Sequence, residues 1–401
     1  MPTTSSQRID IKQNYSSINR FAPLVLAWFD EHGRHDLPWQ QHKTNSPDAY
    51  KVWISEVMLQ QTQVVTVIPY FKRFIQSFPT VDDLANASWD KVAEHWAGLG
   101  YYARARNLHK GAKQLVAIIK KTGHYPKTVA EWEQISGVGR STAGAIVAMG
   151  LHDYGVICDG NVKRVLTRWA GIENDITKSA TTKQLWALAE ALTPKNASGN
   201  FAQAMMDIGA TVCNRTKPAC LVNDKPCPIQ ADCIAFKQNK QRDLPFKAKK
   251  KHKPSKHSYA LVINNPQDKS LWLKRPKNGI WGGLWCLPLK FIHKLQGKKI
   301  IEKANSDKVY EKELTTAEQI IDQFLQNNTI TIKMDTETKQ LKHTLTHFHW
   351  HITTCNITLN QQQQNKLNNL LADAHINFCW LDITEAQKQL ALPAVISKIF
   401  S

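Results

Sequence analysis

No stretch of this chain approaches the roughly 20 consecutive apolar residues of a membrane-spanning helix. The first residues, MPTTSSQRIDIKQNYSS, hold no apolar core of the kind a secretory signal carries. They read as a polar tail, residues 1–17, and the expected location is the bacterial cytoplasm. Acidic residues are scarce beside basic ones: 33 Asp+Glu stand against 52 Lys+Arg, a formal charge of +19. That surplus favours an anionic partner, most simply nucleic acid; solubility alone is the plainer reading of the same charge. No internal repeat is visible. Cysteines are few, eight in 401 residues, and four of them crowd between Cys213 and Cys233. In a reducing compartment such a crowd suggests metal rather than disulfides. Cys158, Cys286, Cys355 and Cys379 are scattered and read as ordinary buried thiols.

The length suggests two domains or a little more. From Ile18 to about Phe236 the apolar residues recur at helical spacing, as in Phe21, Leu24, Val25, Trp28 and Phe29. Turns interrupt at HGRHDLPW, LGYY, KTGHYPKT and ISGVGR. The expectation is an all-α domain over 18–237. Residues 239–257 hold eight Lys/Arg, one acid and two prolines with no apolar face. The segment 238–257 therefore reads as a linker, either tracking phosphates or merely solvated. Beyond it, SYALVINN, SLWLKRP, NTITIKM and WHITTCNITL are short and β-branched or aromatic. Helices fit TTAEQIIDQFL and the C-terminal EAQKQLALPAVISKIF, the latter kinked or begun at its proline. An α+β domain over 258–401 follows. LNQQQQNKLNN, of low complexity, reads as a surface loop.

Three stretches carry chemistry. In GVG opening a helix, glycines allow the turn and close approach, and the following backbone N–H groups face an anion. A tight helix–helix turn explains the same glycines. In VWISEVML six of eight residues are apolar, so the helix is buried nearly all round, and Glu56 is its only carboxylate. Its pKa should rise, which suits a general acid; a salt-bridged core glutamate is the alternative. In VICDGNVKRV, Asp159 follows an apolar run and precedes a helix. Capping is the plain reading, while an acid and a second carboxylate flanking a glycosidic bond is what glycoside cleavage needs. The cysteines are spaced Cys213-x6-Cys220-x6-Cys227-x5-Cys233, which suits an iron–sulfur cluster or structural zinc.

LPWQ, YKVWISEVMLQQTQVVTVIPYF, GLGYYARARNLH, GVGRSTAGAI, DGNVKRV and QAMMDIGA together resemble the A/G-specific adenine DNA glycosylases, the MutY family. The resemblance is dense over about residues 20–236 and thinner through GIWGGLWCLP and HTLTHFH. It implies a helix–hairpin–helix glycosylase domain with a [4Fe–4S] loop at 213–233, then a Nudix-like domain. It implies a monomer that flips adenine out of duplex DNA opposite 8-oxoguanine or guanine and hydrolyses its N-glycosidic bond. Residue by residue, Glu56 matches the general acid at adenine N7. Asp159 matches the aspartate that stabilises the oxocarbenium-like sugar, and Asn161 sits beside it. Gln61 and Tyr101 match residues that wedge into the base stack. Trp39 and Gln203 fall in segments lining the adenine pocket. The hairpin residues Val138, Gly139, Arg140 and Ser141, with Lys163, fall on the DNA-contacting side. Thr346 and His347 match the loop that reads 8-oxoguanine, and the four cysteines match the cluster ligands.

The chain departs from the family at several places. The family cluster motif is Cys-x6-Cys-x2-Cys-x5-Cys, and four extra residues stand here between Cys220 and Cys227. The reading loop is usually Phe-Ser-His, and here it is Leu345-Thr346-His347. Ala202 replaces the middle residue of the FNQ segment. The Nudix box glutamates are missing, so a recognition module is expected rather than a Mg²⁺ pyrophosphatase. Two rivals remain. An endonuclease III-type lyase needs a Schiff-base lysine where Ser141 stands. A non-catalytic damage-binding protein need not keep Glu56 and Asp159.

Overall fold

A computed structural model describes residues 15–40, 48–222, 227–248, 253–277, 279–292, 295–296, 299–300, 316–330, 340–345 and 348–399. These fall into two compact units, one within Met1–Ala87 and Ala103–Lys249, the other within Ser88–Tyr102 and Lys250–Ser401.

The first unit is helical: α1 (Tyr15–His32), α2 (Ala49–Leu59), α3 (Val64–Ser77) and α4 (Val81–Asn86) precede the excursion into the second unit, which carries α5 (Trp89–Trp96). α6 (Tyr102–Thr122), α7 (Val129–Trp132), α8 (Arg140–Ala145), α9 (Gly160–Trp169), α10 (Ser179–Leu192), α11 (Ser198–Asp207) and α12 (Ile234–Lys237) follow. Phe21, Val25 and Phe29 of α1 bury against Val165, Leu166 and Trp169 of α9, Leu185 and Leu188 of α10, and Phe201 and Met205 of α11. α8 and α11 each run on into a π turn, Ile146–Gly150 and Ile208–Val212.

The α7–α8 hairpin depends on two glycines. Gly137 sits at φ +82°, in the left-handed region, and a Cβ there would stand 2.7 Å from the Asn107 Cβ. Gly144 lets α8 close onto the extended segment that leads to Asp159, since a Cβ on it would stand 1.9 Å from the Val156 carbonyl oxygen. Gly144→Ala must part helix from backbone, and overpacking of this kind costs about 1–3 kcal/mol or more. A clear drop in melting temperature is expected by calorimetry; an unchanged value would show that the segment yields freely.

The second unit is built on a sheet of β1 (Ser255–Asn264), β2 (Ser270–Lys274), β3 (Trp285–Cys286) and β4 (Leu289–Ile292), with β5 (Leu295–Gln296) and β6 (Lys299–Ile300) forming a separate pair. β7 (Gln340–Thr344), β8 (His349–Thr358) and β9 (Phe378–Leu381) complete it. The order is β3-β2-β1-β8-β7, β1 and β8 run parallel, β4 pairs with β1, and β9 with β2. Alternation along β1 sends Tyr259, Leu261 and Ile263 to one face, under α13 (Thr316–Asn327) and α14 (Gln361–Asp373). Ala260 and Val262 face the other side, with Trp350, Ile352, Ala386 of α15 (Ile383–Gln389) and Val395 and Ile396 of α16 (Ala394–Ser397). β1 begins inside the stretch read as linker.

The low-complexity stretch is not a loop. Asn360 caps α14 in a full capping box with Gln363, and Leu367 and Leu371, one turn apart, are fully buried. Two leucines at the right spacing and a cap outweigh a polar composition. The C-terminal helical reading holds as two short helices separated around Pro393. NTITIKM lies largely outside the described residues.

Candidate active site

α2 starts at Asp48, whose carboxylate accepts the Lys51 N–H at 3.0 Å. It then buries Val52, Trp53, Ile54, Ser55, Val57 and Met58. Glu56 is the carboxylate left among them, with partial exposure of its own. Burial is the main force on it, and the charge of Asp159 adds to that. The Glu56 carboxyl is pushed up to about 8. It holds its proton at neutral pH, the state a general acid requires.

Asp159 is the N-cap of α9, its Oδ1 accepting the Val162 N–H at 2.8 Å. The plain reading is therefore correct, and it leaves Oδ2 to face Asn161 Nδ2 at 3.4 Å. Burial raises the Asp159 pKa, while hydrogen bonds from the backbone at Val162 and Asn161 and the charges of Arg164 and Lys163 pull it back. Ser141 has a definite task here: its hydroxyl accepts the N–H of Cys158 at 3.0 Å, one residue before Asp159. The Cys158 thiol is buried and pushed up to about 12, so it is inert.

Arg164 joins this motif to the cysteine loop. Its guanidinium donates to Asn161 Oδ1 at 2.9 Å, to the Gly209 carbonyl at 2.6 Å and to the Cys213 carbonyl at 2.8 Å. Arg168, buried on the same helix, donates to Cys213 Sγ at 3.4 Å and to the Asn214 and Arg215 carbonyls. Cys213, Cys220, Cys227 and Cys233 line one cavity with Val165, Ile229 and Phe236. Among the described residues no three His, Cys, Asp or Glu side chains close around a single ion. Four thiols around a cavity, one of them receiving an arginine N–H, fit a thiolate-bound group. Of the added residues between Cys220 and Cys227, 223–226 lie outside the described set.

Gln61 and Tyr101 are both exposed and both hold left-handed backbone, φ 61° and φ 51°. In the hairpin, the Val138 N–H is already bonded to the Ile135 carbonyl at 3.0 Å. That leaves the exposed Gly139 and Arg140 to offer theirs. The Arg140 side chain lies over Trp186 and pairs with Glu190. Lys163 is half-buried beside Asp159 in sequence. Trp39 is buried edge-on against Phe71. Gln203 is buried and donates to Asp207 Oδ1 at 2.8 Å. Asp207, 1% exposed, also receives the Arg34 backbone N–H at 2.8 Å and its guanidinium. Neither Arg34 nor Asp207 stands out in the sequence by its neighbours, although Asp207 is the lone carboxylate of α11, as Glu56 is of α2. Thr346 and His347 lie outside the described residues.

Residues 54–191 match the family described as HhH-GPD superfamily base excision DNA repair protein, and residues 259–401 match the NUDIX domain. Together with the fold, this makes the chain a helix–hairpin–helix DNA glycosylase of base excision repair, a hydrolase of N-glycosyl bonds carrying a Nudix-like unit. An adenine DNA glycosylase of Buchnera aphidicola subsp. Acyrthosiphon pisum is 44% identical over 277 residues, which cover 68% of this chain and 75% of that one. The human adenine DNA glycosylase is 35% identical over 325 residues, covering 69% and 58%. The chain belongs to the adenine DNA glycosylase family. A solved thermostable thymine-DNA glycosylase aligns over 57% of this chain and 100% of that one, at 24% identity and a TM-score of 0.48. No helix among the described residues is long and apolar enough to cross a membrane.

Proposed function

We propose that this chain removes adenine from duplex DNA where it stands opposite 8-oxoguanine or guanine, and leaves an abasic site. The observation that carries the reading is Glu56, a carboxyl that keeps its proton near neutrality in an otherwise apolar helix and feels the charge of Asp159. In the reaction Glu56 gives its proton to adenine N7 as the bond from N9 to the sugar C1′ breaks. The electron pair of that bond leaves with the base. Asp159 faces the cationic sugar, and Asn161 orients Asp159. Water then adds to C1′ and returns its proton to Glu56. Gln61 and Tyr101 wedge into the stack, Gly139 and Arg140 hold a phosphate by their N–H groups, and Lys163 adds positive charge nearby. Trp39 and Gln203 act from behind the adenine pocket. Thr346 and His347 read 8-oxoguanine, and the Nudix-like unit serves recognition rather than pyrophosphate hydrolysis.

Cys213, Cys220, Cys227 and Cys233 hold a [4Fe–4S] cluster, which when bound ties the loop together and supplies no group to the glycosidic bond. The protein works as a monomer in the bacterial cytoplasm, held to the nucleoid by its charge. The test is base release from duplexes with adenine opposite 8-oxoguanine, guanine or thymine. Release is expected opposite the first two and little opposite thymine. Equal release from all three would remove the mismatch reading, and borohydride trapping of most of the enzyme would replace hydrolysis by a lyase. Iron on elemental analysis with broad visible absorption supports the cluster; zinc alone would overturn it.

A further inference from the structure

The helix that carries Glu56 ends two residues before Gln61, and what holds that end is a side chain from another helix. Arg104 stands in the first turn of α6. Its Nη1 donates to the carbonyls of Val57 at 2.8 Å and Met58 at 2.9 Å, and also to the Gln60 carbonyl. Its Nη2 reaches Thr62 Oγ1 at 3.3 Å. The last carbonyls of a helix have no partner within it, and a cation there is doubly suited, by hydrogen bond and by helix dipole. Here the guanidinium does more than cap, because its acceptors bracket Gln61 on both sides. Gln61 itself is exposed at φ 61°. A non-glycine residue in that region persists only when its surroundings over-determine it. Thr62 adds to this by donating its N–H to the Leu59 carbonyl at 3.1 Å.

We propose that Arg104 is a positioning residue: it clamps the Gln60–Thr62 turn so that Gln61 projects at a fixed height from the end of the Glu56 helix. The inference rests on the reading of Gln61 as a wedge. Its consequence is mechanical. The wedge and the acid sit on one rigid piece, so the depth to which Gln61 enters the stack sets where the extruded base meets Glu56. The planar fork of arginine spans these acceptors; a lysine ammonium offers a point charge with three donors and keeps only part of the cap.

The test uses the full-length protein and a duplex with 2-aminopurine beside an adenine opposite 8-oxoguanine, whose fluorescence rises as the stack opens. Arg104→Lys is expected to keep native circular dichroism while the rate of opening falls about 10-fold; misplacement remote from the chemistry costs up to about 100-fold. In a Gln61→Ala background the same change is expected to cost under about twofold, since coupled residues are not additive. Thr62→Val, which removes the acceptor of Arg104 and a long bond from the Thr62 hydroxyl to the Gln60 carbonyl at 3.5 Å, should slow opening in the same direction by a smaller factor. Equal losses with and without Gln61, or native opening in both Arg104→Lys and Thr62→Val, would overturn the clamp. If the native protein itself neither opens the stack nor releases adenine, the proposed function falls instead, and the two failures are told apart.

Discussion

Glu56→Gln is expected to slow adenine release by about 10²–10⁴-fold, the usual contribution of a positioned general acid. The amide keeps the shape of the side chain and cannot give a proton to the base. The pH dependence follows from the direction of the shift. Glu56 is raised to about 8, so the acid form prevails below that value and is lost above it. Asp159 must be ionised to face a cationic sugar, and its pKa is raised as well, so activity also declines on the acid side. A bell-shaped profile of the single-turnover rate is expected, its alkaline limb near pH 8; the two carboxyls titrate as a pair. Stability supplies a second reading of the same group. A carboxyl whose folded pKa is raised contributes most below its unfolded value, and that contribution is lost as pH rises through the folded one. Glu56→Gln should therefore raise the melting temperature at pH 8 and above while it abolishes catalysis. A variant that releases adenine at the native rate, or a rate that keeps climbing well past pH 8, would remove Glu56 from the chemistry.

Asp159→Asn separates two roles that one carboxylate holds. Asparagine caps a helix about as well as aspartate, so the bond from Val162 N–H survives and the fold with it. The negative charge facing the sugar does not. A loss of about 10²–10³-fold or more in single-turnover rate is expected, in the range measured for removing one stabilising group at a developing charge. Asp159→Ala should be equally slow and in addition less stable by about 1 kcal/mol, the worth of the cap. If the asparagine variant kept its rate, the residue would be a cap and nothing more. If the asparagine variant unfolded as readily as the alanine one, the carboxylate charge rather than the cap would be what holds the start of the helix.

The readings that survived are local ones. The burial of Glu56 follows from counting apolar neighbours along one helix, and Asp159 as a cap from its place between an apolar run and a helix. The unbroken apolar run Tyr259–Ile263 in SYALVINN is enough for a strand buried on both faces. LNQQQQNKLNN misleads for an equally local reason: its polar composition points to a loop, while the spacing of Leu367 and Leu371 points to a helix. The hairpin was half legible. Glycines marked the turn, but that Val138 uses its N–H within the turn depends on where the Ile135 carbonyl points, which no pattern encodes.

What lies between segments far apart in sequence was out of reach. Arg164 faces both Asn161 and the Cys213 carbonyl, and Arg34 faces Asp207 across 173 positions. Arginines read as surface charge until the chain is folded. Ser141 shows the division most plainly. The sequence alone determines that no lysine stands there, and so argues against a Schiff base. It also determines the class of fold, the lone acid in its apolar helix and the thiols of one loop, because these follow from residue type and short-range spacing. Only the tertiary structure decides that the Ser141 hydroxyl holds the Cys158 amide beside Asp159, and that Arg104 spans the turn around Gln61. Hydrogen bonds act over about 3 Å, and only packing sets which distant groups come that close.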